Sequence, residues 1–182
     1  MIINLNELNM SATLIIKKTR REILDDKLRK CIGAESQLLS LLRGVRGQKQ
    51  IFDVYLKVVQ RQIMLIGKHL PDVENKFEAK NKVVRAIIDC GYHMIANNPS
   101  PEKISKAMFW MIKSINRYKI ALYEAEREFA ASVRNESLVS FFSSALMAES
   151  QFAKDFDRLS DHFNRSAAGL QNNYQSKLSE LC

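Results

Sequence analysis

Apolar residues recur at intervals of three and four along five segments of this chain, and little interrupts the pattern. Such spacing places apolar side chains on one face of a helix. Only six glycines and three prolines occur among 182 residues, so breaks in helical structure should be few. The pattern predicts an all-α protein. Short connections between the segments predict an antiparallel helical bundle.

Start and stop signals set the predicted bounds of the helices. Thr19 and Glu22 have the spacing of a capping box, which predicts a first helix from Thr19 to Leu42. The next four are predicted over about 50–70, 74–96, 101–133 and 135–163. Ser100 before Pro101 is typical of a helix start, as is Asn135 (or Ser137) for the last helix. Residues 1–18 are interpreted as a leader or arm, residues 19–163 as the helical domain and residues 164–182 as a polar C-terminal extension.

Composition narrows the setting in which such a bundle would work. No apolar run approaches the roughly 20 residues that a membrane span requires, and the first residues lack the pattern of a signal peptide. The three cysteines are widely separated, which favours free thiols in a reducing compartment over a disulfide framework. We therefore expect a cytoplasmic protein without a membrane partner.

The chain is basic, with a formal net charge of +8. Its densest basic region is KKTRR at 17–21, continued by Lys27, Arg29 and Lys30. Such a region is able to bind nucleic acid backbones or acidic partners. Acidic residues at 22, 25 and 26 interrupt it, and that favours a solvated helix face. Nucleic acid is thus a less favoured partner.

Four short motifs give the helices a family likeness. They are GAESQLL at 33–39, FDVYL at 52–56 followed by QI at 62–63, VRAIID at 84–89 and RYKIALY at 117–123. In this order and at these distances they resemble the YciF/YciE type of ferritin-like protein, over about residues 19–163. The resemblance implies a four-helix core with one additional helix. It also implies carboxylate and histidine positions that hold two metal ions in that family.

Few of those metal-ligand positions remain acidic in this chain. Carried over one at a time, the family positions are still acidic at Glu35, Asp89 and Glu149. The resemblance therefore implies a degraded di-metal site, of which these three residues are the remnants. An unusual, mononuclear iron or manganese site that uses them is the alternative.

The remaining positions carry residues that do not suit a metal. The histidine position on the second helix is Tyr55, one carboxylate position on the third is Arg85, and the pair on the fourth is Asn116 and Lys119. Lys119 would place an ammonium where a metal cation sits in the family. Lys119 and Arg85 are candidates to pair with the remaining glutamates in an ion-pair or hydrogen-bond network. The alternative is that Glu35 and Glu149 are ordinary polar residues with local partners.

No other residues form a recognisable site. His69, His93 and His162 lack the mutual spacing of a zinc site, and we interpret them as surface residues. Phe109 and Trp110 are adjacent on a helix and cannot share one face, so one of them meets solvent or a second subunit. We expect no catalytic residue, no cofactor and no bound metal.

The function expected from the sequence is non-enzymatic. The chain is interpreted as a ferritin-like bundle with a structural or protein-interaction role, associating as a homodimer or with another protein, in a stress response as the resemblance implies. One alternative is an active ferritin-like metalloprotein with an atypical iron or manganese site and residual oxidase activity. A second is a basic, DNA-associated bundle.

Overall fold

A computed structural model describes the backbone of residues 5–44, 50–70, 80–96 and 99–179, with side chains between residues 20 and 158 except residue 50. This part of the chain is entirely helical, which confirms the all-α prediction. It contains five α-helices and no strand: α1 (Leu5–Gly44), α2 (Gln50–Gly67), α3 (Lys82–Ala96), α4 (Pro101–Ser132) and α5 (Glu136–Ser179). None of these described helices is both long and apolar enough to cross a membrane.

Several predicted bounds are correct and others are wrong. α1 begins at Leu5 rather than Thr19, because the stretch before Thr19 contains no glycine or proline that would break the helix. α3 begins at Lys82, later than predicted. α5 continues to Ser179 through the predicted extension.

Capping side chains fix the starts of three helices. Ser100 Oγ accepts a hydrogen bond from the Lys103 amide at 3.2 Å, with proline in the first turn of α4 as predicted. Asn135 Oδ1 accepts from the Leu138 amide at 3.1 Å and begins α5. Each bond satisfies an amide that has no partner within its helix.

Asn81 caps α3 and also ties that helix to its neighbours. Its Oδ1 accepts from the Val83 and Val84 amides at 3.0 and 3.2 Å. Its Nδ2 donates to the Lys30 carbonyl at 3.2 Å and to the Tyr118 hydroxyl at 2.9 Å. One buried side chain therefore joins the start of α3 to α1 and α4.

Four helices form a ring and the fifth lies outside it. α1 contacts α2 and α4, α5 contacts α2 and α4, and α3 contacts α1 and α4. Two aromatic contacts show how α4 and α5 run: Phe109 packs against Phe156, and Tyr123 packs against Phe142. The residue that comes later in α4 thus meets the residue that comes earlier in α5. α4 and α5 are therefore antiparallel, joined by a turn in which Arg134 has a positive φ of 58°.

The interior of the ring contains two apolar clusters. One includes Phe52, Met111 and Phe156, and the other includes Leu28, Tyr123 and Phe142. All these side chains are at most 2% exposed. Burying one large apolar side chain stabilises a fold by about 1.5–3 kcal/mol, so these clusters account for a bundle without help from a metal.

α3 exposes much of its apolar surface. Val84 and Gly91 are buried, but Val83 and Met94 are 47% and 53% exposed. Since α3 lies against only two described helices, it buries one narrow stripe. Gly91 sits so close to Met111 that an added Cβ would lie 2.3 Å from the methionine Cγ and Sδ.

A buried polar centre as the candidate site

Three charged side chains meet between the two apolar clusters, and none of them reaches solvent. Glu35 comes from α1, Lys119 from α4 and Glu149 from α5, and each is 0% exposed. Lys119 Nζ lies 2.8 Å from Glu35 Oε2 and 2.8 Å from Glu149 Oε1. A buried charge is tolerated only when it is paired and hydrogen-bonded. The ammonium therefore neutralises part of the charge of both carboxylates.

Four uncharged polar residues complete the centre, which we call the Lys119 centre. They are Tyr55 and Gln62 from α2 and Asn116 and Tyr123 from α4, and each is at most 4% exposed. Tyr55 and Gln62 are two helical turns apart, and Asn116, Lys119 and Tyr123 are spaced by three and four residues. These spacings place each set on one face of its helix, so four helices contribute to one centre.

The carboxylate of Glu149 is surrounded by donors. Tyr55 donates its hydroxyl to Oε2 at 2.5 Å, and Asn116 Nδ2 donates to the same oxygen at 2.7 Å. Gln62 Nε2 donates to Oε1 at 2.9 Å, and Lys119 Nζ donates to it at 2.8 Å. Four donors match the four lone-pair sites of an ionised carboxylate.

Glu35 has fewer partners. Tyr123 donates its hydroxyl to Oε1. The partner described for Oε2 is the Lys119 ammonium, with Nζ at 2.8 Å. Glu35 is thus the less well solvated of the two glutamates.

The environment shifts the ionisation of these groups in different directions. Burial raises the pKa of Glu35 to about 7, against the opposing effect of Lys119 and with a contribution from the Glu149 charge. Burial alone would lower the pKa of Lys119, but the Glu149 and Glu35 carboxylates together outweigh it, and the pKa lies above its ordinary value. Burial, followed by the nearby carboxylates, raises the pKa of Tyr55 and Tyr123 well above the usual range.

Lys119 and the two tyrosines are not activated for catalysis. A lysine whose pKa is raised stays protonated and is a poor nucleophile, and a tyrosine whose pKa is raised is a poor base. None of the three charged side chains is exposed in this conformation.

The donor set does not fit a di-metal centre. Two metal ions in a carboxylate bundle need a glutamate from each of two helices and a Glu-x-x-His pair from each of two others. The Lys119 centre has two carboxylates, and its hydrogen-bonding partners among the described residues include no histidine. The Lys119 ammonium lies 2.8 Å from both carboxylates, so a metal cation there would meet a like charge. In this arrangement Glu35 and Glu149 are both partners of the Lys119 ammonium.

Two residues that the sequence assigned to the vestigial site lie elsewhere. Asp89 and Arg85 are on the outer surface of α3, with side chains 58% and 64% exposed, and their charged atoms are 3.6 Å apart. The structure does not bring them to the Lys119 centre, because α3 lies outside the four-helix ring. Five of the residues singled out in the sequence do meet there: Glu35, Glu149, Tyr55, Asn116 and Lys119. Lys119, but not Arg85, is the cation that pairs with the glutamates.

Gln62 and Tyr123 are the members of the centre that sequence reasoning missed as site residues. Gln62 follows Tyr55 by seven residues and Tyr123 follows Lys119 by four. Each lies on the same helix face as a residue already singled out, so this spacing was the signal that could have found them.

The two histidines whose side chains are described, His69 and His93, do not contribute to the Lys119 centre. His93 is exposed, with Nδ1 2.8 Å from the Asp89 carbonyl. His69 is half-buried beside the ring of Phe141, and burial lowers its pKa. The side chain of His162 lies outside the described residues.

A second ion pair lies two helical turns before Glu35 along α1. Lys27 Nζ is 2.9 Å from Glu126 Oε2, with the side chains 26% and 6% exposed. The same ammonium lies 4.8 Å from the centroid of the Phe129 ring. Cys31, which is 0% exposed, lies on α1 between Lys27 and Glu35.

Comparison with known proteins adds no further assignment. Neither a protein-family model, nor a curated protein, nor a solved structure matches this chain. The ferritin-like resemblance therefore rests on the sequence motifs alone.

Proposed function

We propose that this chain is a non-enzymatic, ferritin-like helical-bundle protein with a structural or protein-interaction role, in which a lysine ammonium takes the place of the metal ions. The observation that carries the proposal is the position of Lys119 Nζ, 2.8 Å from both buried carboxylates. This internal cation offsets part of the carboxylate charge for which a ferritin-like bundle otherwise uses metal. The chain therefore keeps the helical bundle and lacks the metal chemistry of that family.

Exposed apolar side chains support the interaction role. Val83 and Met94 are about half exposed, and they share one face of α3 with the exposed Cys90. Trp110 on α4 is 38% exposed. The sequence predicted that either Phe109 or Trp110 would meet solvent or a second subunit. Exposed apolar side chains on one helix face are suited to protein contacts. A homodimer or another protein partner is therefore part of the proposal.

The alternatives inferred from sequence gain no support from the described residues. An atypical metalloprotein would have used Asp89, which lies on the outer surface of α3. A DNA-associated bundle would have used the basic stretch on α1, but there Lys30 pairs with Asp26 at 2.6 Å.

Metal analysis of the purified protein tests the proposal. The chain is expressed in medium containing iron and manganese, purified without chelator, and analysed by inductively coupled plasma mass spectrometry. We expect far less than one metal ion per chain. Iron or manganese at near two per chain would contradict the proposal. Sedimentation equilibrium on the same sample tests self-association, for which we expect a concentration-dependent dimer.

A further inference from the structure

The charges of the Lys119 centre do not balance. One ammonium faces two carboxylates, and all three groups are 0% exposed. The second partly buried ion pair, Lys27 with Glu126, is closed on itself at 2.9 Å. With both glutamates ionised, the centre would hold one uncompensated negative charge away from water. Such a charge is costly to bury.

The two glutamates are not equally able to hold that charge. Glu149 accepts from four donors. Glu35 has two donors, the Tyr123 hydroxyl at Oε1 and the Lys119 ammonium at Oε2. Hydrogen bonds to the ionised form favour that form. A proton that neutralises the centre therefore belongs on Glu35.

We propose that the Lys119 centre is a proton-binding site, in which Glu35 takes up one proton as the bundle folds and releases it when the bundle opens. The proton makes the centre neutral as a whole, with the ammonium balanced by Glu149. The bundle is then held more tightly in acidic conditions and loosens as the pH rises from about 4.5 to about 7. This inference rests on the proposed function, since it requires Lys119, and not a metal, to be the internal cation.

The groups that face Glu35 leave it as the one that changes charge. α4 provides Lys119 and Tyr123, and α5 provides Glu149. The pKa of Glu35 is raised to about 7 by burial, with Lys119 opposing that shift and Glu149 adding to it. Lys119 stays charged, because its pKa lies above its ordinary value despite burial.

The other titratable neighbours stay neutral over the same range. α2 contributes the Tyr55 phenol, and α1 itself contributes the Cys31 thiol one turn before Glu35. Burial raises the pKa of both groups well above their usual ranges, as it does for Tyr123. Gln62, also from α2, does not ionise.

The sign of the pH dependence follows from linkage. The unfolded chain releases the Glu35 proton near its ordinary pKa of 4.5, whereas the folded chain holds it to about pH 7. Between these values the native state binds more protons than the unfolded state. The contribution of Glu35 to stability is therefore complete below pH 4.5 and is lost as the pH rises to 7, by up to about 10-fold per pH unit in the folding equilibrium constant.

The test follows the carboxyl carbon of Glu35 by NMR in the full chain labelled with ¹³C-glutamate, from pH 5 to pH 9. We expect one buried carboxyl to titrate near pH 7 in the wild type and to be missing in Glu35→Gln. Glutamine has the shape of the protonated acid, so this variant should fold. Glu22→Gln, at an exposed position of α1, is the matched control and should leave the titration unchanged.

Urea unfolding of the same proteins provides a second readout. Wild type and Glu35→Gln are compared at each pH, because the lowered pKa of His69 contributes an opposite slope that cancels in the difference. The wild type should lose stability relative to the variant between pH 5 and 7. If Glu35→Gln does not fold, the titration of the wild type alone decides.

Two results would overturn the inference. One is a Glu35 carboxyl that is fully ionised at pH 5.5 in the folded protein. The other is a difference between wild type and Glu35→Gln that does not change with pH. Metal content measured on the same samples separates the two proposals. Near two metal ions per chain would refute the proposed function, whereas a metal-free chain without the titration would refute the proton site alone.

Discussion

Replacing Lys119, the internal cation, tests how strongly its two buried ion pairs stabilise the fold. Lys119→Met keeps most of the volume of the side chain and deletes the ammonium. At an effective dielectric constant of about 20, each 2.8 Å contact of Lys119 with a carboxylate represents an attraction of about 6 kcal/mol. The variant cannot lose this full amount, because the carboxylates are able to take up protons instead.

Protonation sets the size of the loss. Neutralising a glutamate with a reference pKa of about 4.3 costs about 4 kcal/mol at pH 7 and about 1 kcal/mol at pH 5. With Glu35 already near its midpoint at pH 7, one further proton makes the variant centre neutral. We therefore expect Lys119→Met to lower the free energy of unfolding by about 3–5 kcal/mol at pH 7, in the range for breaking a buried ion pair. The loss should shrink clearly at pH 5.

The assay is equilibrium urea unfolding followed by circular dichroism at both pH values. Lys113→Met is the matched control, since Lys113 is on the same helix, is 37% exposed and pairs with Asp157 at 2.6 Å. A surface pair of this kind contributes at most about 1 kcal/mol. A loss below about 1 kcal/mol for Lys119→Met at pH 7, or one that is equal at the two pH values, would refute the reasoning.

Three further substitutions test other contacts. Asn81→Ala removes the cap of α3 together with two side-chain hydrogen bonds to neighbouring helices. It should lower the free energy of unfolding in urea by about 1–2 kcal/mol. No change would show that the cap is unimportant. Gly91→Ala forces a Cβ against Met111. It should destabilise the fold by about 1–2 kcal/mol, net of a gain of about 1 kcal/mol in helix propensity. Net stabilisation would mean that the methionine moves freely. Tyr123→Phe deletes a donor that lowers the pKa of Glu35, so the NMR midpoint of that carboxyl should rise; a lower midpoint would contradict the assigned hydrogen bond.

Helix content was predictable from sequence because it depends on local spacing. The predicted start of α4 at Pro101 is correct, since Ser100 and Pro101 act within one turn. The predicted start of α1 at Thr19 is wrong, because a capping-box spacing inside a long run of helix formers does not end the helix that precedes it. Local signals therefore identify helices better than they identify boundaries.

The candidate site was predictable only where helix faces and the resemblance agreed. Lys119 and Glu149 meet because each lies on the inner stripe of a ring helix. Asp89 was misplaced because its position depends on whether α3 belongs to the ring, and that is decided by packing between helices. Whether a buried carboxylate finds a metal, an ammonium or a proton depends on the complete set of neighbours, which no single motif contains.

The attachment of α3 has a consequence for the way in which the fold comes apart. This helix contacts α1 and α4 alone among the described helices, its buried residues are Val84 and Gly91, and Asn81 joins its start to both neighbours. A segment with so little buried surface is released at lower free energy than the elements around it. α3 is thus expected to behave as a separate cooperative unit, whose departure would bare the adjoining surfaces of α1 and α4 while the ring of four helices stays closed.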